Sequence, residues 1–241
     1  LTPEQSAVWA NTNQRVHDWN LWYSYASGLA SNVDGSTIFI DGTSVVLGMI
    51  AAADANYPIW FAPMGVHRGV ISSIFSVGYI TGTLGTVTSF VETPVNDGQR
   101  SILYDYNTNI NAASEITGRG ILMMGQKTSD PSAPSSLDRV NVARLVAQMK
   151  REIRFALFPY IGEPNDTFTR QQITGILHNY LADLIQRRAL YDFIVICDTT
   201  NNTGKTIAAN ELWVSIGIQA TSTSEFIYAP LRVVSPAQNL A

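Results

Sequence analysis

The sequence predicts an α+β fold: a mixed β-sheet flanked by two long helices in a C-terminal domain, preceded by a smaller domain of mixed helix and strand. Three observations lead there. Residues 137–157 and 169–188 each place apolar side chains on one face at helical spacing. Phe193-Ile-Val-Ile-Cys197 is an unbroken apolar run closed by turn formers, which reads as a strand buried on both faces. Leu212, Val214, Ile216 and Ile218 then alternate with Trp213, Ser215, Gly217 and Gln219, the period of a strand with two different faces.

In chain order, Thr2-Pro3-Glu4-Gln5 is a helix start. Thr2 caps, Pro3 suits the first helical position, and Gln5 completes a capping-box spacing. Val8, Val16 and Trp19 carry that helix toward residue 19. Residues 21–25 and 36–40 are short strand candidates, the second bracketed by Asp34-Gly35 and Asp41-Gly42. Residues 45–55 read as a buried helix that ends before Tyr57-Pro58. Residues 59–69 form an irregular connection with Trp60 and Phe61 as bulky anchors, and 70–93 suit strands of weak register. A turn-rich break at 94–98 places a domain boundary near residue 100, giving domains 1–100 and 101–241. A short helix over 102–110, a strand over 119–125 and a surface loop over 129–136 follow.

The helix over 137–157 has the apolar stripe Val142, Leu145, Val146, Met149, Ile153 and Leu157. Arg139, Arg144, Lys150, Arg151 and Arg154 lie mostly off it. The helix over 169–188 is capped by Thr169 with Gln172, and its core face runs from Ile173 through Ile176, Leu177, Tyr180, Leu181 and Leu184 to Ile185. Residues 225–234 are strand-like, but Pro230 cannot donate to a ladder. Phe226, Tyr228 and Pro230 therefore mark an edge strand or a tail.

Composition narrows the function classes. At 241 residues the chain holds one large or two modest domains. Charged residues make up 14%, well under the roughly 25% typical of soluble domains. Either Ser, Thr and Asn dominate the surface or neighbouring molecules cover part of it. A net charge of −4 gives no basic field for nucleic acid. No apolar run reaches the roughly 18 residues of a membrane span, and the N-terminus shows no signal peptide. One cysteine excludes an internal disulfide and fits synthesis in a reducing compartment. Without an initiator Met, the chain is expected to be a piece of something longer.

Chemical motifs fail on spacing. Gly204-Lys205-Thr206 looks like the end of a phosphate-binding loop, but Thr199 stands where the first glycine belongs and no helix is expected to follow. His17, His67 and His178 have no second ligand at metal-site spacing, so neither metal nor cofactor is expected. Cys197 ends an apolar strand, where a thiol is inert core. Asp198, Asn201 and Asn202 fit a built turn. An α/β enzyme with a site near Asp198 is the alternative of another class. Arg144, Lys150, Arg151 and Arg154 are either a solvated face or a contact with an acidic partner.

An ordered set of segments resembles contractile bacteriophage tail sheath proteins of the T4-like type. Gly120-Ile-Leu-Met-Met-Gly-Gln-Lys-Thr128, Leu137-Asp-Arg-Val-Asn-Val-Ala-Arg-Leu145, Glu163-Pro-Asn165, Val195-Ile-Cys-Asp-Thr-Thr-Asn-Asn-Thr203, Glu211-Leu-Trp-Val-Ser-Ile-Gly-Ile-Gln219 and Glu225-Phe-Ile227 are similar to the family's C-terminal motifs. Upstream, Trp60-Phe-Ala-Pro-Met-Gly65 resembles its Trp-x-x-Pro-Ala-Gly segment. Ala143 departs from the arginine usual there.

The resemblance implies a structural protein, not an enzyme, that stacks as hexameric rings around a tail tube. Such a sheath contracts to drive the tube through the host envelope for genome ejection. It implies partners in neighbouring sheath subunits, the tail tube protein, the baseplate and the tail terminator, with no nucleic acid and no membrane insertion. It implies residence in the virion tail after assembly in the host bacterial cytoplasm. In the family the C-terminal domain lies innermost, and terminal strands from neighbours add to its sheet. That makes Phe226, Tyr228 and Pro230 an inter-subunit edge and Arg144, Lys150, Arg151 and Arg154 a tube or subunit contact. The sheath of an R-type bacteriocin or a type VI secretion system is the alternative within the class.

Overall fold

A computed structural model describes residues 1–12, 21–81, 89–105, 107–130 and 136–228. Helix α1 (Pro3–Thr12) starts as its capping residues require. The Gln5 N–H donates to Thr2 Oγ1 at 3.2 Å and the Thr2 N–H to Gln5 Oε1 at 3.0 Å. The continuation through Val16 and Trp19, and His17 with it, lies outside the described residues. Three short strands follow, β1 (Tyr23–Tyr25), β2 (Gly28–Ser31) and β3 (Thr37–Ile40). β2 carries no alternation in sequence and was not expected. Helix α2 (Gly42–Asp54) begins before the expected Val45, because Asp41 Oδ1 accepts from the Thr43 and Ser44 N–H groups at 2.9 and 3.1 Å.

After α3 (Gly65–Arg68), β4 (Val70–Ile71), β5 (Ser76–Thr81) and β6 (Ser89–Glu92), helix α4 occupies Asp97–Leu103. This corrects the helix expected over 102–110. A capping box between Asn96 and Gln99 starts it early, and Ile110 already belongs to strand β7 (Ile110–Ile116). β8 (Gly120–Met123), α5 (Val140–Leu157), a single 3₁₀ turn (Phe158–Tyr160) and α6 (Thr167–Gln186) come next. The cap of α6 is Asp166, whose Oδ1 accepts the Thr169 N–H at 2.8 Å; Thr169 itself lies buried inside the helix. The chain continues through β9 (Leu190–Ile196), α7 (Gly204–Ala208) and β10 (Ser215–Ala220). The short α7 starts at Gly204, where no helix was expected.

The strands form three sheets. One is antiparallel in the order β3-β2-β5-β6. The second has the order β1-β7-β8-β4, with β1 parallel to β7. Its strands come from both sides of residue 100, so the expected domain boundary cuts through one sheet. The third, among the described residues, is β9 with β10, antiparallel, pairing Phe193 with Ile218 and Val195 with Ile216.

The first core gathers Tyr25, Val45, Met49, Leu103, Ala113 and Ile121. The second gathers Leu145, Met149, Leu181, Leu184 and Leu190 around Trp60, which arrives from the irregular 59–69 connection. Trp60 is held on three sides. Its Nε1–H donates to the Arg187 carbonyl at 3.1 Å, its own carbonyl accepts from Asn141 Nδ2 at 3.2 Å, and the Arg187 guanidinium stands 5.2 Å over its ring. Of the face expected for α6, Ile173, Leu177, Leu181 and Leu184 are buried, while Ile176 is exposed.

The strand at 193–197 is not buried on both faces. Helices cover one face, where Phe193, Val195 and Cys197 pack. On the other side Tyr191 and Ile194 stand 56% and 58% exposed. A two-stranded sheet with helices on one side leaves its other side bare, whatever the apolarity of the run.

Candidate assembly interface

The corner after β9 is built from side chains. Asp198 Oδ1 accepts from the Thr200 N–H at 2.8 Å and from its hydroxyl at 2.5 Å. Asn201 Oδ1 accepts the Asp198 N–H at 3.0 Å, and Asn201 Nδ2 donates to the Ile196 carbonyl at 2.7 Å. Asn202 is buried and reaches across to the start of β10. Its Nδ2 donates to the Trp213 carbonyl at 2.8 Å, and its Oδ1 accepts the Trp213 N–H at 2.7 Å. The bonds from Thr200 hold the Asp198 carboxyl below its ordinary 3.8. Burial pushes the adjacent Cys197 thiol up, away from the thiolate a nucleophile needs. Among the described residues, no three His, Cys, Asp or Glu side chains gather as a metal site would require, and no helix is long and apolar enough to cross a membrane.

Among the described residues, neither outer edge of the β9–β10 pair has a strand beside it. Each edge opens onto a groove of different character. Beside β10 lies an apolar groove of about 540 Å³ between Val146, Met149 and Ile153 of α5 and Ile216, Ile218 and Ala220 of β10. Beside β9 lies a more polar groove of about 460 Å³, lined by Gln171, Thr174, His178 and Asn179 of α6 with Cys197 and Asp198.

The basic residues of α5 divide. Lys150 and Arg154 line the apolar groove, and Arg151 is exposed nearby on the same helix. Arg144 is set apart: it is half-buried and ion-paired with Asp54 of α2. Phe226 and Tyr228 are 65% and 87% exposed and lie past β10 in chain that joins no strand among the described residues. Pro230 lies outside the described residues.

One cluster brings together residues that the sequence did not connect. Glu225 follows β10 with its carboxylate almost fully buried. Its Oε1 meets Arg139 Nε at 2.6 Å and Gln126 Nε2 at 3.0 Å, and its Oε2 accepts the Tyr104 hydroxyl at 2.8 Å. Gly125 makes the room. A Cβ there would come within 2.7 Å of the Tyr104 ring. Lys127 completes the surround with its Nζ on the Tyr104 carbonyl and 4.4 Å above that ring. Burial, with the Glu225 charge added, raises the Tyr104 pKa; burial, with Arg139 beside it, lowers that of Lys127. In sequence Glu225 stands out only as the start of the Glu225-Phe-Ile227 segment that resembles the family; a glutamate in a Ser/Thr stretch carries no periodic signal of its buried partners.

Unpaired strand edges beside an apolar groove form the kind of surface to which another chain can add a strand. Residues 132–233 match the family model of the phage tail sheath C-terminal domain, and the chain is similar to the tail sheath proteins of several phages. The tail sheath protein of Vibrio phage KVP40 is 30% identical over 217 residues, covering 90% of this chain and 29% of that protein. The tail sheath protein of Salmonella phage ViI is 33% identical over 138 residues, covering 57% of this chain and 21% of its own length. That of Enterobacteria phage T4 is 30% identical over 182 residues, covering 76% and 25%. The chain spans less than a third of the length of these curated relatives. Among solved structures, the contracted sheath complex of the extracellular contractile injection system PVC aligns with a TM-score of 0.78 at 20% identity, covering 96% of this chain and 60% of that one. The contracted helical sheath of the anti-feeding prophage aligns at 0.70 and 19%, covering 92% and 59%. These two establish the fold.

Proposed function

We propose that this chain is the assembly-forming part of a contractile tail sheath subunit. It polymerises with copies of itself in stacked hexameric rings around the tail tube of a phage virion, assembled in the host cytoplasm and joined to baseplate and terminator. Contraction of the polymer drives the tube through the host envelope, and no catalysis is involved. The carrying observation is the two-stranded β9–β10 sheet, both of whose edges are unpaired among the described residues, one of them beside an apolar groove. Strands from neighbouring subunits complete that sheet. The strand-like stretch beginning at Phe226 and Tyr228 and running on through Pro230 is the segment handed to a neighbour. Each added backbone hydrogen bond nets only about 0.5–1.5 kcal/mol. About six of them, with the groove covered, hold subunits together while other contacts slide. Asp198, Asn201 and Asn202 fix the angle at which β10 presents its edge.

Lys150, Arg151 and Arg154 project beside the groove toward an acidic partner, the tube or a neighbouring subunit. Arg144, already paired with Asp54, takes no part. Phage relatives at 30–33% identity support a phage sheath over that of a bacteriocin or secretion system. Electron microscopy of the purified protein tests the reading. Hollow tubular polymers are expected, and a protein that stays monomeric under all conditions contradicts it.

A further inference from the structure

Beyond Ala220 the chain leaves its own small sheet. The Thr221 N–H still bonds the Ala189 carbonyl at 3.1 Å, and four residues later Glu225 is sunk into the β7–β8 region of the other sheet. The three donors that receive it come from different places: Tyr104 just past α4, Gln126 after β8, and Arg139 at the cap of α5. Immediately afterwards Phe226, Ile227 and Tyr228 are 65%, 86% and 87% exposed. Buried carboxylate and exposed apolar triplet sit side by side. A buried carboxylate bound by an arginine and two neutral donors holds one geometry, because any shift strands a charge away from water.

We infer that Glu225 is a positioning residue, whose carboxylate in the Tyr104–Gln126–Arg139 socket clamps the chain leaving β10 to the β1-β7-β8-β4 sheet and so fixes where the exposed Phe226-Ile227-Tyr228 triplet is presented to a neighbouring subunit. This deepens the sheath reading and rests on it. The clamp joins the two sheets through a segment that has no ladder of its own, so the direction of the outgoing chain is set by one side chain. Arg139 and Gln126 also flank the backbone bond from the Val140 N–H to the Gln126 carbonyl, 2.7 Å, which ties the start of α5 to the same socket. The start of the groove-lining helix and the root of the outgoing segment therefore share one anchor.

Spin labels on Ala147→Cys and Ile227→Cys, both exposed, measure the clamp in the isolated chain by pulsed dipolar spectroscopy; Cys197 is buried and stays unlabelled. A single narrow distance population is expected. Glu225→Gln loses it for a broad one, with the circular dichroism spectrum unchanged. Tyr104→Phe, which removes one donor and no charge, broadens it partly. Glu225→Gln with Arg139→Gln is no broader than Glu225→Gln alone, because the pair acts as a unit. A broad population in the unsubstituted chain, or a narrow one in Glu225→Gln, overturns the clamp. In polymerising protein, Glu225→Gln cuts the pelleted tube fraction several-fold, and an unchanged fraction overturns its positioning role. Parent protein that forms no tubes yet shows the distance change contradicts the sheath reading and leaves the clamp standing.

Discussion

Asn202 does the most work of any single side chain at the assembly corner. It is buried at 2% exposure, joins the end of β9 to the start of β10, and satisfies both backbone groups of Trp213. Asn202→Ala strands those groups, and each unsatisfied buried group costs about 1–3 kcal/mol. The variant should lose about 2–4 kcal/mol in urea unfolding. The carboxylates at the caps act through pH. The backbone bond from Thr169 leads the causes that hold Asp166 below 3.8. Its folded pKa is depressed, so its stabilisation is complete above the unfolded value and is lost as the pH falls through the folded one. Asp166→Asn keeps the hydrogen-bond acceptor and loses the charge. The Tm gap between parent and variant should be full above about pH 4 and close as the pH drops further. A gap that widens toward low pH contradicts this assignment. The Asp198 corner could be read in sequence because its partners lie within a few residues of one another. Glu225 could not, because Gln126 and Tyr104 are 99 and 121 positions away.

Elements divide by how local their causes are. α5 and α6 announce themselves through long apolar stripes, and their observed bounds differ from expectation by the caps alone. β2 and β4, of four and two residues, exist because neighbouring strands supply their hydrogen bonds, which no window of sequence reveals. β9 looked like an interior strand because its run is apolar throughout, but sheet width is not a property of a run. The exposure of Tyr191 and Ile194 follows from helices packing on the opposite face alone among the described residues. At the scale of α5, Arg151→Glu with Arg154→Glu should leave the monomer folded and weaken sheath assembly on tubes. The defect should be larger at low ionic strength, where screening is weakest. Equal assembly at every salt concentration rejects a charged partner at this face.

The whole molecule is tied together by connections that cross the middle of the sequence. β1 and β4 share a sheet with β7 and β8, Arg144 bridges to Asp54, and Trp60 is driven between α5 and α6. Trp60→Ala should cost about 3–5 kcal/mol and separate the unfolding of the α5–α6 region from the rest, visible as a second transition by calorimetry. The low charge content now has a physical counterpart. Tyr191, Ile194, Phe155, Phe158, Ile161 and Phe226 are all exposed, large apolar side chains that a neighbouring molecule can cover. Composition alone left open whether neighbours cover the surface, and these side chains favour the covered reading.

In the proposed sheath, other subunits complete the β9–β10 sheet. A cryo-EM map of the polymer, at a resolution that separates strands, tests it most directly. Added strands hydrogen-bonded along the outer edges of β9 and β10 are expected, one of them covering Val146, Ile153 and Ile218. A polymer in which both edges remain bare, with subunits joined elsewhere, would contradict it.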